Sequence, residues 1–338
     1  MHEKLSKKEI MILNLLKAVK RKISSPEILS YLKTEELDIS ERTIRYYLEQ
    51  LHDKGFVTKT GKKGFVITEK GINEIMAGSV ISRVGFLSSK ILSKSFQMTF
   101  DPDKCEGTVI VNVSIVEPDK ILSFLNLFKE VFRRNFAMGE KVCLFLPHEY
   151  IGDFQIPERM IGIGTICSVT LNGVLLKKGV PVASRFGGIL QIESENPLGF
   201  VEIIMYDSTT MDPLEIFIRS GMTDYLGVLK KNSGRIGAGF REVPVETLDI
   251  VKDVCKKMKK IGIGTYPFIG APGKPVFHIP VNEGSVGLIV MGGLNPVAVF
   301  EESGIKVKSS ALAGFVEYSK LFHYSEIDTK IKKILNHL

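Results

Sequence analysis

At 338 residues, 44 % hydrophobic and 25 % charged, the chain is long enough for two or three globular domains with sizeable cores. A formal charge of +7 is a modest basic excess that names no partner by itself. No run approaches the roughly 20 apolar residues of a membrane span. Ile10 to Val19 is broken by Asn14 and Lys17, so a helix is expected there rather than a signal peptide, and the protein is expected in the cytoplasm.

The first segment contains no glycine before Gly55 and reads as short helices. Ser6 is a candidate N-cap, and Ile12, Leu15, Leu16 and Val19 then recur on one helical face. Ser25, Pro26 and Glu27 give a second start signal: cap, proline in the first turn, acid behind it. Its apolar residues are Ile28, Leu29 and Leu32. Ser40 caps a third helix, which Gly55 ends. Ile44, Tyr47, Leu48 and Leu51 form its apolar stripe, with Arg42, Arg45, Tyr46 and Glu49 opposite. Two short strands, 56–59 and 65–67, flank a basic turn at Gly61 to Gly64, and Thr68 and Glu69 open a fourth helix. Three helices, a hairpin and a helix are the order of a winged helix-turn-helix, placed at residues 1–78.

In such a motif the N-terminal end of the second helix of the pair reaches base edges in the major groove. That end carries Arg42, Thr43, Arg45 and Tyr46. Arginine bonds guanine through two parallel contacts, and threonine bonds a base or touches a thymine methyl. Lys59, Lys62 and Lys63 on the wing suit phosphate contact. Residues 1–75 hold 15 Lys and Arg against 11 Asp and Glu, a net +4 from under a quarter of the chain. That share fits an electrostatic footprint for double-stranded DNA, although Glu41 and Glu49 oppose it. Small basic helical domains that pair only with protein show the same surface.

After Gly78 the composition changes to glycine-rich strands and turns. The string IGIGT occurs at 161–165 and again at 261–265. Apolar Gly-bearing strands follow at 186–191 and 285–290, then Asn-Pro at 196–197 and 295–296. The spacing of about 100 residues suggests a duplicated unit. Strands are expected at 108–116, 161–171, 186–192, 200–206, 261–266, 276–280, 285–291 and 297–301. Helices are expected at 118–134, 212–221 and 245–260. The fold class is therefore a winged helix followed by a large α+β regulatory domain with an internal duplication, at residues 79–310. Residues 311–338 are expected to form a C-terminal helical tail.

Enzyme signatures are missing from the sequence. Neither IGIGT copy completes a dinucleotide fingerprint, because Cys167 and Pro267 stand where the last glycine belongs. Pro272 to Pro275 lacks the rest of a phosphate-binding loop. The histidines form no zinc motif, and Cys105, Cys143, Cys167 and Cys255 form no C-x-x-C pair, so neither metal nor cofactor is expected. Ligand sensing remains. Arg185, Arg219, Arg235 and Arg241 sit beside turns or element ends, and a planar guanidinium suits a carboxylate. Arg185 is the leading one, since Gly187 and Gly188 behind it let a ligand approach the backbone. Thr165, Cys167 and Thr265 border the repeated turns and complete the expected effector set, with turn packing the simpler role for Cys167.

Three stretches carry a family resemblance: Ser40 to Leu51 (SERTIRYYLEQL), Gly64 to Gly71 (GFVITEKG), and Arg185 to Leu190 (RFGGIL) onward to Asp224. Over nearly its whole length the chain resembles the archaeal nitrogen regulatory repressors, the NrpR family. The resemblance implies a repressor of nitrogen-assimilation genes, binding palindromic operators as a homodimer and released by 2-oxoglutarate. Some members carry two regulatory domains, whereas this chain has length for one, so a second regulatory-domain protein is a further expected partner. The alternatives are a winged-helix regulator answering a different metabolite, or an enzyme fused to a winged helix.

Overall fold

The computed structural model describes residues 5–19, 21–33, 40–61, 64–75, 86–265 and 267–335. The chain divides into two compact units, Met1–Gly85 and Phe86–Leu338. The expected boundary at 78 lies outside the described residues.

In the first unit α1 (Lys7–Val19), α2 (Ser25–Lys33) and α3 (Glu41–Asp53) precede β1 (Val57–Thr60), β2 (Gly64–Ile67) and α4 (69–75). Ser6 closes a capping box on α1. Its Oγ accepts from the Glu9 N–H at 3.3 Å, and the Glu9 carboxylate accepts from the Ser6 N–H at 2.7 Å. At α2 the cap is one residue earlier than expected: Ser24, not Ser25, precedes the helix, and it donates both its N–H and its hydroxyl to the Glu27 carboxylate at 2.8 Å. Ser25 is thereby released to bridge the two helices of the motif, donating to Glu41 at 3.3 Å and accepting from Arg45 Nε at 3.2 Å. Of the expected core, Leu15, Val19, Leu29 and Tyr47 are half-buried and Leu13 joins the core instead, whereas Ile12, Leu16, Ile28, Leu32, Ile44, Leu48 and Leu51 are buried. Each such side chain contributes about 1.5–3 kcal/mol. The β1–β2 hairpin pairs Val57 with Ile67 through Thr60 with Gly64, and Ile23 adds a short third rung beside Phe65.

The second unit runs α5 (Leu87–Gln97), β3 (Thr108–Val116), α6 (Pro118–Ile121), α7 (Leu125–Arg133), β4 (Lys141–Phe145), β5 (Tyr150–Ile151), β6 (Phe154–Gln155), β7 (Ile161–Ile166), α8 (Val169–Lys177), β8 (Ala183–Glu193), β9 (Asn196–Met205), α9 (Pro213–Arg219), α10 (Tyr225–Lys231), β10 (Gly234–Pro244), α11 (Leu248–Lys260), β11 (Phe268–Ile269), β12 (Ser285–Met291), α12 (Asn295–Glu302), β13 (Lys308–Glu317), β14 (Phe322–His323) and α13 (Ile327–Leu335). Two five-stranded sheets form, ordered β13-β3-β7-β4-β14 and β11-β12-β10-β8-β9. Every neighbouring pair in them is antiparallel, so the regulatory unit is α+β.

The unit is a duplication, but not in the register that the two IGIGT strings suggest. β3-α7-β4-β7-α8-β8 is repeated as β10-α11-β11-β12-α12-β13. Val111 pairs with Ile166 as Ala238 pairs with Met291. Each half gives its last strand away. β8 joins the second sheet beside β10, with Ala183 facing Glu242, and β13 joins the first sheet beside β3, with Lys308 facing Ile115. Both exchanged strands slip register a few residues later, at Phe240/Arg241 and at Ser310/Gly314.

The two IGIGT copies differ because their flanks differ. In β7 the glycines let strands pack closely: a Cβ at Gly164 would lie 2.3 Å from Cys143 Sγ, and one at Gly162 would lie 2.7 Å from Ile156. In the second copy Gly262 has φ +76° and ends α11. Ile263 N–H donates to Met258 O at 3.1 Å and Gly262 N–H to Lys259 O at 3.0 Å, a Schellman cap in place of the expected strand 261–266. The expected strand at 297–301 is the buried helix α12, and 161–171 stops at Ile166 because α8 begins at Val169. Residues 276–280 make only the Val276–Ile279 bridge. Residues 311–317, expected in a helical tail, are the body of β13, and α-helix returns at α13 after two short 3-10 turns.

Equivalent bonds fasten the two helices that follow the central strands. Cys167 N–H donates to Ile110 O at 2.9 Å, and Gly292 N–H donates to Gly237 O at 3.0 Å. Three residues further on, the Thr170 hydroxyl accepts from Ile110 N–H at 3.1 Å and donates to Ile110 O at 3.0 Å. At the matching place Asn295 donates to Gly237 O at 2.8 Å. Thr170→Val keeps the shape and strands the buried Ile110 N–H, so it is expected to lower stability by about 1–3 kcal/mol. Urea unfolding followed by circular dichroism measures this, and an unchanged midpoint would show that the bond contributes nothing net.

Candidate functional site

Two regions concentrate polar chemistry, one in each unit. On the first, α3 presents Arg42, Arg45, Tyr46 and Glu49 to solvent and buries Ile44, Leu48 and Leu51. Tyr46 is 59 % exposed although it stands edge-on to Tyr47, and it accepts a bond from Gln50 at 2.9 Å. Thr43 is tied to the cap: its N–H donates to Ser40 Oγ at 3.2 Å, and the two hydroxyls are 2.8 Å apart. Arg45 pairs with Glu41 across one turn, and Lys59 on the wing pairs with Glu49 at 2.6 Å. These pairs are exposed, so each is worth about 0–1 kcal/mol and yields readily to a phosphate. Arg42 makes no ion pair among the described residues. Lys62 and Lys63 lie outside the described residues.

In the second unit a narrow recess of about 20 Å³ sits between the duplicated halves. Its walls come in matched pairs: Asn112 and Gly239 from β3 and β10, Cys167 and Gly292 after β7 and β12, Ser168 and Gly293 beside them, then Val169 and Leu294. Tyr206 and Asp212 add polar groups, and Ile91, Leu214 and Ala311 apolar ones. A groove of about 700 Å³ shares Asp212 and Ala311 with this recess and runs along Lys90 and Lys94 of α5.

Behind Gly239 lies Arg241, 1 % exposed. Its Nε donates to Asn172 at 2.7 Å and its Nη2 to Ser168 at 2.8 Å, while Nη1 has no partner among the described residues. A Cβ at Gly239 would lie 3.2 Å from Nη1 and 3.0 Å from the Tyr206 hydroxyl. Burial, reinforced by the neighbouring Glu215 charge, pushes the Asp212 carboxyl up to about 7 against the pull of the Leu214 and Glu215 N–H groups. Burial likewise raises Glu215 and Tyr206.

Of the expected effector residues, Cys167 lines the recess. Gly187 stands behind it, where a Cβ would meet Pro213 at 2.9 Å and the Tyr206 hydroxyl at 3.2 Å. Gly188 is bare for a different reason: a Cβ there would strike Glu202 O at 2.6 Å. Arg185 is held away, bonded at 2.9 Å to Glu242, which also accepts from Asn282 at 2.7 Å. Thr165 in β7 and Thr265 after α11 line neither cavity, and each keeps a buried hydroxyl without a partner among the described residues. Sequence reasoning set Arg241 below Arg185 and missed Ser168, Tyr206, Asp212, Gly239 and the Gly292–Gly293 pair. The usable signal was an apolar strand followed by two glycines, Leu294 and then Asn-Pro.

The model of the NrpR regulatory domains NRD1 and 2 matches residues 84–323, and that of the ribonuclease R winged-helix domain matches residues 10–75. The chain belongs to the NrpR family. The global nitrogen regulator NrpRI of Methanosarcina mazei is 32 % identical over 95 % of this chain and 99 % of that one. The global nitrogen regulator NrpR of Methanococcus maripaludis is 29 % identical over 93 % of this chain. The chain spans about half the length of that protein, 54 %. Among solved structures, a nitrogen repressor-like protein from Methanococcus jannaschii matches with a TM-score of 0.59 at 28 % identity, covering 71 % of this chain and 98 % of that one. This NrpR-family chain is thus a winged helix plus a regulatory unit, with regulators rather than enzymes as relatives. None of the described helices is long and apolar enough to cross a membrane, and no group of three potential metal ligands occurs among the described residues.

The recess contains a thiol, but an inert one. Burial pushes Cys143, Cys167 and Cys255 each up to about 12, whereas Cys105 is half-buried at the surface. Ellman's reagent at pH 8 is expected to titrate one thiol per native chain and all four after denaturation. Rapid loss of more than one native thiol would contradict this packing.

Proposed function

We propose that this NrpR-family chain is a DNA-binding repressor of nitrogen-assimilation genes. It grips a palindromic operator as a homodimer and releases it when 2-oxoglutarate occupies the regulatory unit. The observation that carries the reading is the exposed end of α3, with Arg42, Arg45 and Tyr46 on a winged helix, in the same chain as an NrpR regulatory unit. The names of the relatives support the nitrogen-regulating part. Two winged helices held about one helical turn apart, roughly 34 Å, would meet successive major grooves. The effector releases DNA only through its difference in affinity between the gripping and released geometries, for which about 1–3 kcal/mol is typical.

The test is fluorescence anisotropy of a labelled palindromic operator from a nitrogen-assimilation promoter, at fixed salt, with and without millimolar 2-oxoglutarate. Tight binding weakened about 5- to 150-fold by 2-oxoglutarate is expected. Tight binding indifferent to it keeps the repressor and discards this effector in favour of another metabolite or a second regulatory protein. No preference over random DNA overturns the operator reading. In the same assay Arg42→Ala is expected to cost about 1–3 kcal/mol and to relax selectivity at one base position. An equal loss on operator and random DNA would make Arg42 a phosphate contact instead.

A further inference from the structure

The residues at the exposed end of α3 are not equally free to read a base. Thr43 gives its N–H to Ser40 Oγ at 3.2 Å and holds its hydroxyl 2.8 Å from the same oxygen. Arg45 is anchored at two points, with Nε on Ser25 at 3.2 Å and Nη2 on Glu41. These two side chains fasten α3 to its own cap and to α2. Arg42 is exposed and has no ion pair among the described residues. Tyr46 and Gln50 follow Arg42 at intervals of four residues. The three therefore stand in one row along the helix, beside the buried stripe of Ile44, Leu48 and Leu51.

Tyr46 is held although it is exposed. Its ring stands edge-on to Tyr47 at 5.6 Å, and Tyr47 is half-buried against the core of the first unit. Its hydroxyl accepts from Gln50 Nε2 at 2.9 Å. That bond holds one of the two Nε2 hydrogens and so fixes which way the amide faces. Free on the amide are the second Nε2–H and, beside it, Oε1: a donor next to an acceptor. In the major groove guanine offers two acceptors, cytosine a donor, and thymine an acceptor and a methyl. Adenine alone offers an acceptor, N7, beside a donor, the N6 amino group. The free edge of Gln50 is the complement of that pattern.

Charge limits how far the row extends. Glu49 adjoins Gln50 but is matched by Lys59 of the wing at 2.6 Å. Asp53, three residues on, is exposed and acidic, and phosphates repel it, so the row ends at Gln50. From this geometry we infer that Gln50 is a specificity-determining residue that reads an adenine in the operator, and that Tyr46 is the positioning residue holding its amide for the contact. The inference rests on the operator reading above and adds a second base position to the one assigned to Arg42. Eight residues of helix rise about 12 Å, so a helix lying along the groove places the two positions about three base pairs apart.

The experiment is fluorescence anisotropy of the full chain at fixed salt, on the labelled palindromic operator and on duplexes in which each base pair is replaced in turn. Circular dichroism first checks that each variant keeps its fold. Gln50→Ala is expected to bind the unaltered operator at least about tenfold more weakly and to lose the wild-type preference at one A·T pair of each half-site. Replacing that adenine by 7-deazaadenine, which lacks the N7 acceptor, is expected to weaken the wild type and to leave Gln50→Ala unaffected. Tyr46→Phe keeps the ring on Tyr47 and frees the amide. It is expected to lose part of the same preference and to have no further effect in the Gln50→Ala background. A Tyr46→Phe chain that binds as wild type does would overturn the positioning role. A Gln50→Ala chain that keeps every base preference, or that weakens equally on operator and random DNA, would overturn the whole assignment while leaving the operator reading standing. A wild type with no preference for the operator over random DNA would overturn both.

Discussion

The exchange of β8 and β13 between the duplicated halves is the constraint on which the regulatory unit depends. A strand at a sheet edge supplies half of its neighbour's ladder bonds. Here each half completes its sheet only with a strand from the other, so neither half has a closed set of backbone partners alone. The exchange also brings the ends of two equivalent strands, β7 and β12, to one place. The recess lies there because the topology leaves two strand-to-helix turns facing each other. One turn carries Cys167 and Ser168 and the other Gly292 and Gly293.

The duplicated frame is symmetric, but its polar furniture is not. Arg241 corresponds in strand position to Ser114, which only bonds Ser309 on the exchanged strand, at 2.8 Å. Asn112 corresponds to Gly239: one spends its oxygen on Leu312 N–H, and the other leaves room beside Arg241. A single guanidinium therefore breaks the pseudo-symmetry.

The first unit was legible because its period is strong and its helices are amphipathic. Ile44, Leu48 and Leu51 point inward at helical spacing, Arg42 and Arg45 point outward, and local caps set the ends. The regulatory unit was only partly legible. β3 and β12 were read to their ends because short runs rich in Val and Ile, interrupted only by small or polar residues such as Asn112, Ser114 and Gly287, have few alternatives. α8 and α12 are buried nearly all round, as Thr170 to Leu175 and Asn295 to Phe300 show, so no polar face marked them as helices. β10, the strand at the centre of its sheet, begins Gly-Arg-Ile-Gly-Ala-Gly, and its glycines lowered its apparent strand propensity. Those glycines are there because of neighbours that sequence does not reveal, namely Leu214 and Asn295 against Gly237, and Tyr206 and Arg241 against Gly239. Arg185 shows the same dependence on unseen neighbours: it stands just before a glycine pair, but its guanidinium is bonded to Glu242, a partner that its place in the sequence does not reveal.

For the operator-binding repressor proposed above, the paired carboxylates on α3 would have a kinetic consequence. Grip on random duplex grows with the number of phosphates neutralised, each releasing a counterion. Arg45 and Lys59 arrive at DNA already matched by Glu41 and Glu49. They lend charge to the backbone only after giving up an internal partner, so on a decoy sequence the domain behaves as a less basic body than its composition suggests. On that reading, residence on wrong sites would be short, and the search would proceed by many brief encounters. Commitment is left to the positions where base edges, and not phosphates alone, reward the exchange.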